Sequence, residues 1–315
     1  MDIIQYVREE ASKNIKHIVL PRSPDPRVIK AAEYLHEHKL CIPILLNNEE
    51  AKPSSSVPIF SIHDHPKLEL YAESFYQKRK HKGLTKDQAL NTVKDPLFFC
   101  SSMLAHGDAN GAVAGLISTT GDVLRAAIQT IGLKKGSNVV SSSFLMSFED
   151  GRIFTYGDCA VVPYPTSEQL ASIAIDSAET HERLTGNSAN VAMLSFSTLG
   201  SAKHERVDVV KHALELVKNE KPDLNIDGEL QLDASIDVTI AGRKAPSSKV
   251  EGQANVLVFP NLEAGNIGYK ITERLAGATA TGPIIQGLAK PMMDLSRGCA
   301  WEDIVNVACV AALMS

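Results

Sequence analysis

The stretch DLSRGCAWED at positions 294–303 combines side chains that bind anions with side chains that accept protons. Arg297 offers a planar guanidinium, which binds phosphate or carboxylate through paired hydrogen bonds. Ser296 adds a hydroxyl and Asp303 a carboxylate. The same residues also suit an ordinary helix start, because acids in a first turn complement the helix dipole. The residues alone leave both interpretations open: a capped helix with a structural ion pair, or an anion site with a base.

Two further junctions between an apolar run and a helical pattern carry groups suited to an anion. ANGAVAGLISTTGDVLRAAIQ (109–129) places Ser118 and Thr119 before a glycine, with Arg125 further along the helical pattern. Hydroxyls and backbone N–H groups at a helix start bind phosphate with help from the dipole. NLEAGNIGYK (261–270) presents Asn266 at an expected helix start. Helix capping explains these residue types as well, so neither junction is diagnostic by itself.

Several common catalytic and cofactor patterns are missing from the sequence. There is no GxxxxGK[ST] phosphate loop, no GxGxxG after a strand, no HExxH pair and no GxSxG serine elbow. The chemistry indicated is anion binding with a carboxylate, without a metal, a flavin or a serine triad. The five cysteines are widely spaced and form no CxxC pair, which predicts reduced thiols and makes Cys299 a packing residue rather than a nucleophile.

Length, charge and hydropathy narrow the class of protein. The 315 residues predict about two domains, and a 44% hydrophobic composition is ordinary for a soluble protein. A net charge of −5 gives no electrostatic argument for a nucleic-acid partner. No apolar run reaches the ~18 residues of a membrane span, and the first residues lack a secretory signal pattern. We therefore expect a cytoplasmic protein without a membrane partner.

Strand-like and helix-like segments alternate along the chain, which predicts an α/β fold with mostly parallel sheets covered by helices. A boundary between two domains is expected near residue 140. The expected strands are 17–21, 41–46, 109–116, 138–148, 152–162, 190–198 and 255–260, and the expected helices are 25–40, 66–83, 119–133, 166–186, 204–222, 264–278 and 301–314.

A collinear set of segments carries a family resemblance. GPIIQGLAKPMMDLSRGCAWEDIVNVACVAAL, GDCAVVPYPTSEQLASIAIDSA and APSSKVEGQANVLVFPNLEAGNIGYKITERLAGA, among others, closely resemble phosphotransacetylases, the phosphate acetyl/butyryltransferase family. The resemblance implies two α/β/α sandwich domains with the site in the cleft between them, a fold similar to isocitrate and isopropylmalate dehydrogenases. It implies a discontinuous first domain, 1–140 plus about 285–315, and a second domain, about 141–284, that forms a homodimer.

The resemblance also implies an activity: reversible acetyl transfer between CoA and phosphate, without a metal or prosthetic group, and with acetate kinase as pathway partner. It places the catalytic pair on Ser296 and Arg297 and the general base on Asp303. CoA- or phosphate-binding arginines fall on Arg79, Arg125 and Arg274. Ser118, Thr119 and Asn266, from the two junctions above, complete the predicted substrate-binding set.

The base role of Asp303 raises an energetic difficulty. An ordinary Asp titrates near 3.9 and a thiol near 8.5, so the transfer of a proton from the thiol is roughly 6 kcal/mol uphill. Burial would raise the pKa of the acid. We therefore expect Asp303 to be partly buried and to form no bidentate pair with Arg297. The alternatives to acetyl transfer are a butyryl- or propionyl-specific enzyme and a non-catalytic module that binds CoA or an acyl phosphate.

Overall fold

The computed structural model describes residues 3–21, 24–47 and 54–315. The chain divides into two compact units. The first, which we call the terminal unit, consists of Ile4–Lys134 together with Leu288–Ser315. The second, the central unit, is built chiefly from Lys135–Gly287. The chain therefore passes between the units at 134/135 and 287/288, a few residues from the expected boundaries near 140 and 285.

Helices and strands alternate through both units, and the α/β class predicted from the sequence is confirmed. The helices are α1 (Ile3–Lys13), α2 (Pro26–Glu37), α3 (Leu68–Arg79), α4 (Lys86–Val93), α5 (Pro96–Ala105), α6 (Thr120–Thr130), α7 (Ser167–Thr185), α8 (Glu205–Glu220), α9 (Leu232–Ile236), α10 (Val238–Lys244), α11 (Leu262–Ala276) and α12 (Trp301–Leu313). The strands are β1 (His17–Leu20), β2 (Ile42–Asn47), β3 (Ile59–Ser61), β4 (Gly111–Ala114), β5 (Ser141–Ser147), β6 (Ile153–Gly157), β7 (Asn190–Leu194), β8 (Asn225–Leu230), β9 (Val256–Val258), β10 (Thr279–Gln286) and β11 (Met292–Asp294).

The terminal unit contains a five-stranded sheet of order β11-β4-β1-β2-β3. Every pairing in this sheet is parallel, as the alternating pattern predicts. The apolar helix α12 packs against β4, where Gly111 is so close that an added Cβ would lie 3.2 Å from the Cβ of Ala311. Because β4 and β11 are parallel neighbours, the loops that follow them emerge at the same edge of the sheet.

The central unit contains a six-stranded sheet of order β10-β5-β6-β9-β7-β8. The strands β6, β9, β7 and β8 pair in parallel, whereas β10–β5 and β5–β6 are antiparallel. Three of the five pairings are therefore parallel, and the expectation of mostly parallel sheets is confirmed. The β5–β6 pairing is antiparallel for a local reason: the turn between the two strands is too short for a crossover, and Gly151 adopts a φ of 88° there.

Helix α7 shows how sequence signals set an element. Thr166 is its N-cap and exchanges hydrogen bonds with Gln169, which forms a capping box. The helix ends at Gly186, which adopts the left-handed conformation expected of a C-terminal glycine. Between these signals α7 packs its apolar residues into the main core of the central unit, with Val191, Val210 and Val256 among its neighbours.

No helix within the described ranges is both long enough and apolar enough to cross a membrane.

Candidate active site

The parallel pairing of β4 and β11 brings two of the predicted anion-binding segments to one edge of the terminal sheet. Asp294 at the end of β11 lies in register with Ala114 at the end of β4. One residue on, the amide of Leu295 donates to the carbonyl oxygen of Ala114 at 2.9 Å. The segment with Ser118 therefore leaves the sheet beside the segment with Ser296.

Ser296, Arg297 and Gly298 form an exposed turn between β11 and α12. The hydroxyl oxygen of Ser296 accepts from the amide of Gly298 at 3.2 Å, and the carbonyl of Ser296 accepts from the amide of Cys299 at 3.1 Å. Within the described residues, the guanidinium of Arg297 makes no hydrogen bond or ion pair. Such an unpaired, exposed guanidinium beside a hydroxyl is suited to an incoming anion.

Arg27 holds this turn in place, and sequence reasoning did not single it out. Its Nη1 donates to the carbonyl oxygens of Arg297 and Cys299, each at 2.9 Å. Its Nε and Nη2 bind the carboxylate of Asp25 at 3.1 and 2.7 Å, and this hydrogen bonding lowers the pKa of Asp25. The turn is thus anchored at its backbone to the start of α2. The sequence signal in this region is Asp25, an acidic N-cap before Pro26, but such a signal identifies only a helix start and not the role of Arg27.

Asp303 lies in the first turn of α12 and is exposed, so the expectation of partial burial is wrong. Its Oδ2 accepts from the amide of Ala300 at 2.8 Å, which folds the carboxylate back over its own helix start. The buried face of α12 begins only at Ile304, and this explains the exposure. Among the described residues no ion pair joins Asp303 to Arg297, in line with the other part of that expectation. The general-base role stays a prediction.

The start of α6 shows how the predicted hydroxyls are used. Thr119 is the N-cap: its Oγ1 accepts from the amide of Asp122 at 3.2 Å and donates to the Asp122 carboxylate at 2.7 Å. Arg125 pairs with the same carboxylate at 2.9 Å, and the Thr119 hydroxyl is the main cause that lowers the pKa of Asp122. Capping therefore occupies Thr119, whereas the half-buried Ser118 makes no hydrogen bond with another described residue through its side chain.

Arg79 ends α3 and lines a depression of about 640 Å³ on the terminal unit. Lys82, Gln88, Asn91 and Gln129 line the same depression. The Arg79 side chain is half-buried and forms no hydrogen bond or ion pair within the described ranges. The depression therefore offers two cationic side chains and several amides, a lining suited to a polar, negatively charged ligand.

Asn266 and Arg274 both lie on α11 of the central unit. The helix starts at Leu262 with Asn261 as its N-cap, so the expectation that Asn266 opens a helix is wrong. The Asn266 amide instead donates to the carbonyl oxygen of Cys159 at 3.0 Å. Arg274 is in the last turn of α11, with a side chain that is 80% exposed and 3.4 Å from Glu273. A helix C-terminus does not itself attract anions, so any anion there would depend on the Arg274 charge.

Asp294 is the unusual carboxyl group of this region, because it is only 3% exposed. The Oγ1 of Thr120 donates to its Oδ2 at 2.5 Å, while Oδ1 is buried without a hydrogen-bond partner in the part of the chain that the structure describes. Burial raises the pKa of Asp294 to about 6, and the Thr120 hydrogen bond opposes this rise only in part. Cys299, five residues further along the chain, is half-buried, and burial raises the pKa of its thiol as well. A raised thiol pKa suits the packing role predicted for Cys299.

The buried charge predicts a pH-dependent stability. The folded-state pKa of Asp294 lies above the ordinary 3.8, so the wild type loses stability as the pH rises through about 6. Asp294→Asn removes the titration while keeping the shape. We expect the variant to gain on the order of 2 kcal/mol in unfolding free energy over the wild type at pH 8, and little or nothing at pH 4.

Denaturant unfolding at both pH values measures this gain. Glu302→Gln, an exposed neutral replacement in the next helix, is the matched control and should change stability by less than about 0.5 kcal/mol at either pH. A change of stability in Asp294→Asn of equal size at pH 4 and pH 8 would contradict the prediction, because it would mean that ionisation of Asp294 does not affect the stability of the fold.

Comparison with known proteins places this arrangement in a family. Residues 2–312 match the family described as "Phosphate acetyl/butaryl transferase". The chain is 46% identical to the phosphate acetyltransferase of Thermoanaerobacterium thermosaccharolyticum, with all of both chains covered. It is also 46% identical to that of Clostridium acetobutylicum, over 100% of this chain and 99% of the relative.

Solved structures agree with these matches. The EutD phosphotransacetylase from Staphylococcus aureus is 39% identical and superposes with a TM-score of 0.91, covering 99% of this chain and 98% of that one. A protein described as a 4-hydroxythreonine-4-phosphate dehydrogenase from Salmonella typhimurium covers 96% of this chain and 100% of that one at 10% identity and a TM-score of 0.51, which shows only a shared fold. Because the match runs along nearly the whole chain, the protein belongs to the phosphate acetyl/butyryltransferase family of enzymes.

Proposed function

We propose that the protein is a phosphate acetyltransferase, which interconverts acetyl-CoA plus phosphate with acetyl phosphate plus CoA. The observation that carries the proposal is the unpaired Arg297 guanidinium beside Ser296, on a turn whose backbone Arg27 holds. The relatives at 46% identity, both named phosphate acetyltransferase, support acetyl as the acyl group.

The proposed reaction is a direct acyl transfer. The CoA thiol gives its proton to the carboxylate of Asp303, and the thiolate attacks the carbonyl carbon of acetyl phosphate. A carbon–sulfur bond forms, the bond between that carbon and the phosphate oxygen breaks, and phosphate leaves. Ser296 donates a hydrogen bond to the developing oxyanion or to phosphate, and Arg297 neutralises the charge on the leaving group.

The remaining predicted residues are assigned to CoA and phosphate within this proposal. CoA carries a 3′-phosphate and a diphosphate, and the depression lined by Arg79 and Lys82 offers two cations to such groups. The Ser118 side chain makes no hydrogen bond with another described residue, and its segment leaves the sheet beside that of Ser296. A ligand at Thr119 or Arg125 would have to replace their contacts with Asp122. Arg274, with its exposed side chain, and Asn266 are proposed as substrate-binding residues of the central unit.

Formation of acetyl-CoA from acetyl phosphate and CoA tests the proposal directly. The expected result is turnover by the purified protein, followed through the ultraviolet absorbance of the thioester. Comparison of kcat/KM for acetyl-, propionyl- and butyryl-CoA decides between acetyl transfer and a longer-chain preference. CoA binding without any turnover would contradict the enzyme assignment and favour the non-catalytic module.

We propose further that the protein is a homodimer joined through the central unit. Ile267, Ile271 and Leu275 recur every four residues on α11, so they form one stripe along the helix, and they are 57%, 52% and 82% exposed. Three large apolar side chains on one helix face favour burial against a second copy of the chain.

Ile271→Asp should shift the protein from dimer to monomer, because a charge at the middle of the stripe would have to be buried unpaired. Light scattering during gel filtration measures the mass against the 34.0 kDa of one chain. Lys270→Gln, exposed on the same helix beside the stripe, should leave the dimer intact. A wild-type protein of monomeric mass would overturn this proposal.

The cytoplasm is proposed as the compartment, since all five cysteines are free thiols and four of them are buried. Acetate kinase is the proposed pathway partner, as the enzyme that would consume acetyl phosphate.

A further inference from the structure

Burial of the Asp294 carboxylate is unfavourable for the stability of the fold, and the carboxylate takes no part in the reaction described above. A buried carboxylate with one unsatisfied oxygen loses hydration that the protein does not replace. The backbone is shaped to admit it: Gly115 adopts a φ of 93°, and a Cβ there would lie 2.2 Å from the Asp294 Oδ1. Gly115 thus has a conformation that residues with a Cβ rarely adopt, and it lies directly beside the buried carboxyl group.

Thr120, the one side-chain partner of Asp294 among the described residues, links two segments of the site. Thr120 is the first residue of α6, directly after Ser118 and Thr119, and it donates to the Asp294 Oδ2 at 2.5 Å. Asp294 ends β11, two residues before Ser296. This bond therefore ties the start of α6 to the strand that carries the Ser296–Arg297 turn.

A purely structural role explains this bond poorly. The strands are already joined next to it by the backbone hydrogen bond from Leu295 to Ala114. An apolar pair of similar volume would hold the same elements at lower cost, because it would bury no charge. Departures from such local rules concentrate at functional sites, where the position of a neighbouring group matters more than stability.

We propose that the Thr120–Asp294 pair is a positioning device that sets the distance between the start of α6 and the Ser296–Arg297 turn, and so sets the affinity for phosphate and acetyl phosphate. The inference rests on the proposed function, because it takes the anion at these segments to be the phosphoryl group. Asp294 affects the anion site indirectly, through its hydrogen bond with Thr120 and through the backbone that leads from Asp294 to Ser296. Among the described residues, no hydrogen bond links the pair to Arg79, so the affinity for CoA is not set by it.

A double-mutant cycle tests the proposal. Asp294→Ala and Thr120→Val should each raise the KM for acetyl phosphate about tenfold, the loss expected for one hydrogen bond to a charged group. The KM for CoA should stay within about twofold. The double variant should be no worse than the worse single one, because both changes break the same bond. Thr120→Ser keeps the hydroxyl and should restore a KM near that of the wild type.

Additive losses in the double variant, or equal increases in both KM values, would overturn the proposal and leave a general packing role. If Asp294→Ala does not fold, the comparison of Thr120→Val with Thr120→Ser carries the test alone. Failure of the proposed function is distinguished by the wild type, which would then show no turnover. In that case the same variants are titrated with inorganic phosphate by calorimetry, and an unchanged Kd in Thr120→Val overturns the positioning role.

Discussion

Arg297→Ala should lower kcat/KM for acetyl transfer by roughly 10²–10³-fold, the loss seen when one preorganised donor to a developing negative charge is removed. The guanidinium is exposed and makes no side-chain hydrogen bond in the described part of the chain, so the fold does not depend on it. The unfolding free energy should change by less than about 0.5 kcal/mol. Steady-state kinetics and denaturant unfolding of the same preparations measure the two quantities.

The controls for this prediction separate shape from charge. Arg243→Ala removes another exposed arginine, on α10 of the central unit, and should leave kcat/KM unchanged. Arg297→Lys keeps the charge but loses the two-pronged geometry, so it should recover only part of the lost rate. Activity of Arg297→Ala within a few-fold of wild type would mean that the anion binds elsewhere, and the proposed site would be wrong.

Asp303→Asn should lower kcat by about 10²–10⁴-fold, the contribution typical of a general base, with little change in the KM for acetyl phosphate. This substitution removes the charge and keeps the size and shape of the side chain. Asp303 lies three residues after the N-cap Ala300, and the side-chain oxygen of Asn can accept the same hydrogen bond from the Ala300 amide while the charge is lost. The readout is kcat at saturating concentrations of both substrates, together with thermal stability to confirm that α12 is still capped.

Glu302→Gln is the matched control, because Glu302 is the other exposed acid in the first turn of α12. It should retain full turnover. Near-wild-type kcat in Asp303→Asn would assign Asp303 to helix capping alone.

The exposed position of Asp303 makes proton transfer from a thiol more difficult to explain. A carboxylate at a helix N-terminus is stabilised as the anion, so basicity toward a thiol requires desolvation when substrates bind.

Much of the fold could be predicted from local signals. The alternation of apolar and helical patterns identified most parallel strands and their helices, and the capping box with Gly186 bounded α7. These succeed because capping and periodicity act within a few residues of the chain. Two of the missed elements, α5 and β8, lack such periodicity. Helix α5 is apolar nearly all round because it is buried on most sides, and β8 carries Asp227 and Glu229, whose partners lie elsewhere in the central unit.

The chemical groups of the stretch 294–303 could be identified from the sequence, since Ser296, Arg297 and Asp303 are close neighbours along the chain. Their surroundings depend on the tertiary structure. Arg27 reaches the carbonyl of Arg297 across 270 positions, and Thr120 reaches Asp294 across 174. The contact between Thr120 and Asp294 results from the parallel pairing of β4 with β11. The Asp303 carboxylate is exposed because the buried face of α12 starts after it. Burial and long-range hydrogen bonds depend on which strands become neighbours, and no local pattern specifies that choice.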